Sequence, residues 1–203
     1  MGRDEGVDEA AVRVLQERTG LAVIYLQQLR LFGGIDRSDP GHVERLVAEA
    51  IIPPGAADWF GQRFVTMGYY ALVEYSRVEA PRPDATAEDC SWCSLAQLPP
   101  LMLDHAQILA TAYETLRQHL YYQPIGLNLL PRQFIMPELQ SLYETVLDRQ
   151  LDRRNFQRRM LGYGIVVPTG ERRRGGPHKA PLLYTFDEAR YRQALREGLN
   201  PGW

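Results

Sequence analysis

The sequence contains one lysine, two cysteines and no long apolar run. Its longest apolar stretches, such as residues 21–26, are far shorter than the roughly 18 to 20 residues that a membrane-spanning helix needs. No basic, apolar leader opens the chain. The content of 45% hydrophobic and 24% charged residues is that of a globular protein and excludes collagen, coiled coil and full-length disorder. We therefore expect a soluble, cytoplasmic protein that does not contact a membrane.

The two cysteines, Cys90 and Cys93, have the C-x-x-C spacing of a redox pair or of half a zinc site. The four histidines show no paired spacing, so the second half of a zinc site is missing. We expect no metal and no cofactor. The favoured interpretation is two packed thiols on either side of Trp92.

Charge is distributed unevenly along the chain. Residues 1–105 carry 9 basic and 16 acidic side chains, a net charge of −7, whereas residues 106–203 carry 14 and 9, a net charge of +5. Basic residues are densest at 149–179, with 9 basic and 2 acidic side chains. All basic residues except Lys179 are arginines, which favours side chains that bind phosphates or guanine edges with two hydrogen bonds. The two halves are expected to have different roles.

The first half mixes helical and strand patterns. An amphipathic helix is predicted for residues 7–19, ending at Gly20. Strands are predicted at 21–32 and 64–76, with a long connection at 33–61 that contains a short helix. A third, short strand is predicted at 91–101, and a helix with one apolar stripe at 106–120.

The basic half has the order strand, helix, turn, helix and hairpin. The strand is 132–135, the first helix begins at Pro137, and Asp152 caps a second helix in which Phe156, Met160 and Tyr163 face inward. A basic loop then joins the two strands of the hairpin. This order is typical of a winged helix-turn-helix domain, in which the second helix reads DNA.

The second helix and the hairpin loop carry the side chains that such a domain needs. Arginine suits guanine, asparagine and glutamine suit adenine, and the remaining cations suit phosphates. A charge run is usually only a solvated face, but two runs on adjacent elements of this order favour nucleic acid. The predicted DNA-binding residues are Arg153, Arg154, Asn155, Gln157, Arg158, Arg159, Arg172, Arg173, Arg174 and Lys179.

Residues 13–21, RVLQERTGL, resemble the end of the Nudix box, G-x5-E-x7-R-E-U-x-E-E-x-G-U, where U is a bulky aliphatic residue. Nudix enzymes hold Mg²⁺ with this carboxylate cluster and cleave diphosphates. Val14 and Arg18 replace two of the glutamates, so we expect no catalytic residue and no enzyme activity. The positions that match the box are Glu5, Arg13, Leu15, Glu17, Gly20 and Leu21.

A degenerate Nudix half followed by a basic winged helix resembles the NrtR-type transcriptional regulators. The blocks that resemble them are LPPLMLDHAQIL, QPIGLNLLP, ELQSLYE, LDRRNFQRRM and HKAPLLYTF. The resemblance implies a regulator that binds a double-stranded DNA operator, as a homodimer, and senses a small molecule. It implies ADP-ribose or a pentose sugar as the effector, and the C-terminal blocks lie nearer the sugar-responsive branch. Candidate effector-binding residues are Asp36, Arg37 and Tyr70.

The predicted fold class is α+β. A Nudix-like mixed sheet with helices occupies residues 1–121, a winged helix-turn-helix domain 126–190 and a C-terminal tail 191–203. The glycine that opens a Nudix box would precede residue 1, so the early strands of the sheet are expected to be missing. Two alternatives stay open: a Nudix hydrolase acting on a nucleoside diphosphate derivative, and a non-enzymatic interaction module.

Overall fold

A computed structural model of the chain describes residues 2–20, 25–35, 37, 40–73, 91–127, 129–173 and 180–199. The chain divides into two compact units. The first comprises Met1–Ala71 and Glu79–Ala112, and the second comprises Leu72–Val78 and Tyr113–Trp203. No helix in the described part of the chain is long and apolar enough to cross a membrane.

The first unit begins with a helix and continues with short helices between two strands. The predicted helix is confirmed: it starts with Asp8 and Glu9 in its first turn, where acids favour the helix dipole. It ends at Gly20, whose φ of 72° lies in the left-handed region that glycine adopts more easily than other residues. The elements are α1 (Val7–Thr19), β1 (Tyr25–Phe32), α2 (Pro40–Ala48), a 3-10 turn (Pro54–Ala56), α3 (Ala57–Phe60) and β2 (Thr66–Leu72).

Strands β1 and β2 pair in one sheet. They approach closely at Gly68, where an added Cβ would lie 2.6 Å from the Phe32 ring. Phe32 is 4% exposed, so the glycine makes room for a buried aromatic ring. Tyr69, on the same strand, donates a hydrogen bond to the carboxylate of Asp8 in α1, which joins that helix to the sheet.

The predicted strand at 91–101 is wrong. A 3-10 turn, Leu95–Gln97, lies there, because Ser94 Oγ accepts a hydrogen bond from Ala96 N and caps it. Pro99 and Pro100, which have no N–H to donate to a ladder, follow the turn. Cys93 and Trp92 are exposed, so the expected packing of thiols around Trp92 is wrong for Cys93. Cys90 lies outside the described residues.

Helix α4 (His105–His119) follows, and its residues from Tyr113 onward belong to the second unit. The second unit contains β3 (Phe134–Ile135), α5 (Met136–Leu147), α6 (Arg153–Gly162), β4 (Val166–Arg172), β5 (Leu182–Phe186) and α7 (Glu188–Glu197). Its sheet is antiparallel with the order β3-β5-β4. The predicted order of strand, helix, helix and hairpin is confirmed, and it is that of a winged helix.

The second unit buries its apolar residues on one side of each element. Leu139, Tyr143 and Val146 of α5 are buried at the predicted spacing. Phe134 and Phe186 lie against each other across the sheet, with ring centroids 4.8 Å apart. These helices are therefore fixed against a well-packed core.

Helix α7 was not identified from the sequence, which assigned residues 191–203 to a tail. Asp187 caps this helix by accepting a hydrogen bond from Arg190 N, and Tyr191 is 4% exposed. The Tyr191 hydroxyl donates a buried hydrogen bond of 2.8 Å to Pro124 O. Tyr191, which the sequence assigned to a tail, therefore packs in the core of the second unit.

Candidate nucleic-acid interface

Helix α6 is anchored on one face and exposed on the other. Asp152 Oδ1 accepts a hydrogen bond of 2.9 Å from Asn155 N and caps the helix, as the sequence predicts. Phe156 and Met160 are 6% and 3% exposed. The Phe156 ring lies 5.4 Å from that of Tyr143 in α5, in an edge-on contact. The buried face thus fixes which side chains point outward.

The outward face of α6 is cationic. Four arginines and one asparagine are exposed there. No described carboxylate forms an ion pair with any of these four arginines. Their charge is therefore available to an anionic partner. The exposed residues are Arg153, Arg154, Asn155, Arg158 and Arg159.

Two side chains of this face are connected to each other. Arg158 Nη2 donates a hydrogen bond of 2.9 Å to Asn155 Oδ1. Gln157, also predicted to contact DNA, is only half-exposed, and its Nε2 lies 3.5 Å from the hydroxyl oxygen of Tyr184 in β5. The amide of Gln157 therefore points toward the sheet side of the helix.

The turn between α5 and α6 is held by two side chains of α5. Gln140 Nε2 donates to Leu151 O at 2.9 Å, and Leu151 N donates to Glu144 Oε1 at 2.8 Å. Gln140 also donates to Glu144, and these hydrogen bonds lower the pKa of the Glu144 carboxyl. Backbone and side chain together therefore fix the angle at which α6 leaves the turn.

The hairpin of β4 and β5 forms the wing. Arg172 Nη1 donates a hydrogen bond of 2.7 Å to Ala180 O, and its side chain is exposed. Arg173 N donates to Pro181 O at 3.0 Å. Arg174 and Lys179 lie outside the described residues. The described part of the wing therefore brings one exposed arginine of the predicted set to the interface.

The Arg173 side chain forms an ion pair with Glu138 in the first turn of α5. Its Nη1 and Nη2 donate to the two carboxylate oxygens at 2.5 and 3.0 Å. Glu138 also accepts a hydrogen bond of 2.9 Å from Ile135 N. Hydrogen bonds from Arg173 lower the pKa of the Glu138 carboxyl, with a further contribution from Ile135 N. The wing is thereby joined to α5.

Sequence reasoning missed this role of Glu138. A glutamate three residues after the residue that precedes a helix is a capping-box position, so its bond to Ile135 N had a sequence signal. The ion pair between Glu138 and Arg173 had no local sequence signal, because the two residues are 35 positions apart along the chain.

Most of the second unit is similar to a known DNA-binding domain. Residues 126–186 match the family model of the NrtR DNA-binding winged helix domain. The ADPR responsive transcriptional repressor NtrR of Acinetobacter baylyi is 28% identical over 186 residues, covering 91% of this chain and 65% of the relative. The chain is similar to the NrtR-type regulators.

Two solved structures of NrtR are similar to the chain in fold. NrtR of Shewanella oneidensis matches with a TM-score of 0.68 and 26% identity, over 93% of this chain and 76% of that one. The same protein complexed with a 27mer DNA matches with a TM-score of 0.69 and 26% identity, over 94% and 77%. The likeness to NrtR thus extends over both units.

Two acidic residues that match the Nudix box, Glu5 and Glu17, both contact Arg13. Arg13 donates to Glu5 at 2.7 and 2.9 Å and to Glu17 at 3.0 and 3.1 Å, so all four carboxylate oxygens accept hydrogen bonds from one guanidinium. The hydrogen bonds from Arg13 to Glu5, together with that from Gly2 N, lower the pKa of the Glu5 carboxyl to about 2. No cluster of potential metal ligands occurs among the described residues. A metal cation at these oxygens would be repelled by the positive charge of Arg13.

The remaining box positions lie in and after α1. Val14 is 39% exposed, and Gly20 ends the helix. Leu15 is half-buried, unlike its exposed neighbours Val14 and Gln16. Leu21 and the Arg18 side chain lie outside the described residues.

The predicted effector residues are not brought together by the described structure. The Arg37 side chain is 4% exposed, and it donates to Asp104 at 2.9 Å, Phe32 O at 3.0 Å and Phe64 O at 3.2 Å. These contacts indicate a structural role, because the guanidinium joins three segments of the first unit. Tyr70 is half-buried, with its ring 6.1 Å from that of Tyr25. Asp36 lies outside the described residues.

Proposed function

We propose that this chain is a DNA-binding transcriptional repressor of the NrtR type. The observation that carries the proposal is the outward face of α6, where four arginines without a described ion-pair partner lie opposite buried Phe156 and Met160. The helix belongs to a domain whose family model is described as DNA-binding. A solved relative with the same fold is complexed with DNA.

We propose different roles for different cations of the interface. Arg153, Arg154 and Arg158 enter the major groove with the exposed face of α6 and contact bases and phosphates. Arg159 and Arg172 bind phosphates at the edges of that contact. Arg174 and Lys179 are proposed to bind the backbone or the minor groove.

Asn155 has a part in base reading through its bond to Arg158, because an amide that accepts this hydrogen bond fixes the guanidinium. Gln157 has a supporting part, since its amide points to Tyr184. Arg173 has an indirect part, because its ion pair with Glu138 holds the wing near α5.

We infer that the first unit senses a small molecule and does not hydrolyse it. The engagement of Glu5 and Glu17 by Arg13 supports this inference. ADP-ribose is the proposed effector, because a curated relative is named ADPR responsive. A pentose such as arabinose is the competing effector. Either ligand must bind one arrangement of the DNA-binding halves more tightly than another in order to change DNA affinity.

We propose that the chain acts as a homodimer on a palindromic operator, since helix-turn-helix proteins place one recognition helix on each half-site. The experiment is a fluorescence anisotropy titration of the protein on DNA from upstream of its own gene, with unrelated DNA as competitor. It is repeated with ADP-ribose and with arabinose. Sedimentation of the complex gives the number of protein copies on each DNA.

The test variant is Arg154→Ala with Arg158→Ala, and the matched control is Arg196→Ala, an exposed arginine of α7. We expect the double variant to bind about 30-fold more weakly or worse, because each base or phosphate contact is worth about 1 to 3 kcal/mol. The control should bind like the wild type. Binding no tighter than to competitor DNA, or equal loss in the control, would rule out the proposal.

A further inference from the structure

The flank of α6 that carries Arg159 faces a groove within the second unit. The groove has a volume of about 640 Å³ and runs between α6, the end of α4 and the turn after α5. Ligand sites in proteins typically occupy about 300 to 1,000 Å³. The groove is therefore large enough for a small molecule of nucleotide size.

The floor of this groove is apolar and rigid. Leu120, Tyr143, Phe156 and Met160 line it, and each of them is less than 7% exposed. These side chains belong to α5, α6 and the residue after α4, which the core holds in place. A flat apolar group laid on this floor would lose its hydration without requiring the protein to rearrange.

The rim of the groove is cationic and aromatic. Arg149, Arg158 and Arg159 line it, together with Tyr121, whose side chain is 61% exposed. Among the residues that the structure describes, no carboxylate forms an ion pair with these three arginines. Asp152 also lines the groove, but its Oδ1 accepts the capping bond from Asn155 N. The rim charge is +3 from arginine against −1 from Asp152.

An apolar floor below several guanidiniums fits a ligand with a planar ring and a phosphate. Guanidinium groups bind phosphate oxygens with paired hydrogen bonds, and aromatic side chains stack on a base. A DNA duplex presents phosphates without an exposed ring, so it would leave the floor empty. A free nucleotide supplies both parts.

We propose that this groove is a second ligand site of the protein, which binds a mononucleotide-class molecule and thereby blocks DNA binding. Arg158 and Arg159 line the groove and also belong to the DNA-facing set, so one site cannot serve both partners at once. Competition with DNA rests on the proposed function, whereas nucleotide binding in the groove is independent of it.

The first test is calorimetric titration of the full chain with AMP, with adenosine and with inorganic phosphate as separate probes. AMP should bind with a Kd below about 1 mM, and each of the other two more weakly, because each offers only half of the contacts. Arg149→Ala and Tyr121→Ala should each weaken AMP binding about tenfold. Both side chains are exposed, so the variants should fold. The control is Arg196→Ala, outside the groove.

The second test adds AMP to the DNA complex. AMP should release DNA from the wild type, and about tenfold more should be needed for Arg149→Ala. Absence of saturable AMP binding, or equal binding by wild type and Arg149→Ala, overturns the ligand site. AMP binding that depends on Arg149 without DNA release overturns the competition. AMP binding by a protein that binds no specific DNA supports the ligand site and refutes the proposed function.

Discussion

Arg173, directly after β4, forms an ion pair with Glu138 in the first turn of α5, with hydrogen bonds of 2.5 and 3.0 Å to the two carboxylate oxygens. This pair joins the wing to the helix that supports α6. An arginine of the wing that was expected to contact DNA thus holds the wing in position, and its partner also caps α5 through Ile135 N.

Replacing Glu138 by glutamine should lower DNA affinity, because the wing loses its attachment to α5, and should lower the unfolding free energy only slightly. Both side chains are more than a third exposed, 40% and 36%, so the loss of the pair should cost only about 0.5 to 1 kcal/mol of unfolding free energy. Glutamine can still accept the hydrogen bond from Ile135 N. Urea denaturation measures the stability and anisotropy measures DNA affinity, which should fall. Glu188→Gln, which breaks the exposed pair with Arg192 in α7, is the control and should leave DNA affinity unchanged.

The contribution of Glu138 should depend on pH. Hydrogen bonds from Arg173 lower the pKa of this carboxyl, despite the opposing effect of burial. A carboxyl with a lowered folded pKa stabilises the fold fully above its unfolded pKa, about 4.3, and loses that effect as pH falls through the folded value. The difference in unfolding free energy between wild type and Glu138→Gln should therefore shrink between pH 5 and the lowest pH at which the protein remains folded. A constant difference over that range would contradict this assignment.

The dependence of DNA affinity on salt concentration should give the number of phosphate contacts. Each phosphate neutralised by an arginine contributes about 0.9 to the slope of log affinity against log salt. The double variant Arg154→Ala with Arg158→Ala should reduce that slope by up to about 2 if both bind phosphate, and by less if either reads a base. Thermal stability should not change, because both side chains are exposed. A slope equal to that of wild type would place neither arginine at a phosphate.

Helix α6 and its exposed cationic face could be predicted from the sequence because the signal there is local. Asp152 precedes α6 as a cap, and Phe156 and Met160 recur at helical spacing, so the exposed face follows by geometry. Helix α7 was not predicted, although Asp187 provides a cap, because Tyr191 is its one buried residue and a single buried residue gives a weak apolar periodicity.

Long-range partners could not be predicted in the same way. Arg37 was expected at a ligand pocket because a polar residue after a strand often lies at the mouth of one. Its partner Asp104 lies 67 residues away in the sequence. Nothing local distinguishes a buried arginine of this kind from an exposed one, and effector contact by Arg37 stays a prediction.

Replacing Arg37 by alanine should destabilise the first unit by about 2 kcal/mol or more, because the part-buried carboxylate of Asp104 loses its partner. Two carbonyl oxygens, Phe32 O and Phe64 O, lose a donor as well. Tryptophan fluorescence during urea denaturation measures this unit when Trp203→Phe is present in every variant, because Trp59 and Trp92 both belong to the first unit and Trp203 to the second. Arg63→Ala, at an exposed position, should change stability by less than about 0.5 kcal/mol. Similar midpoints for the two variants would contradict the structural role.

Replacing Tyr191 by phenylalanine tests whether α7 belongs to the core. The change removes the hydroxyl that donates to Pro124 O at 2.8 Å and keeps the ring that lies 5.2 Å from Phe186. The buried carbonyl loses its partner, so unfolding free energy should fall by about 1 to 2 kcal/mol. Circular dichroism during urea denaturation measures the change. An unaffected midpoint would mean that the hydrogen bond to Pro124 O does not contribute to the stability of the domain.

The hydrogen bond between Arg158 and Asn155 connects two positions one helical turn apart on the exposed face of α6. A change at Asn155 removes the acceptor that orients Arg158, so the effects of the two positions on base preference will not add. Relatives that recognise different operators are expected to exchange this pair together. A code that assigns one residue to one base would therefore fail on this helix.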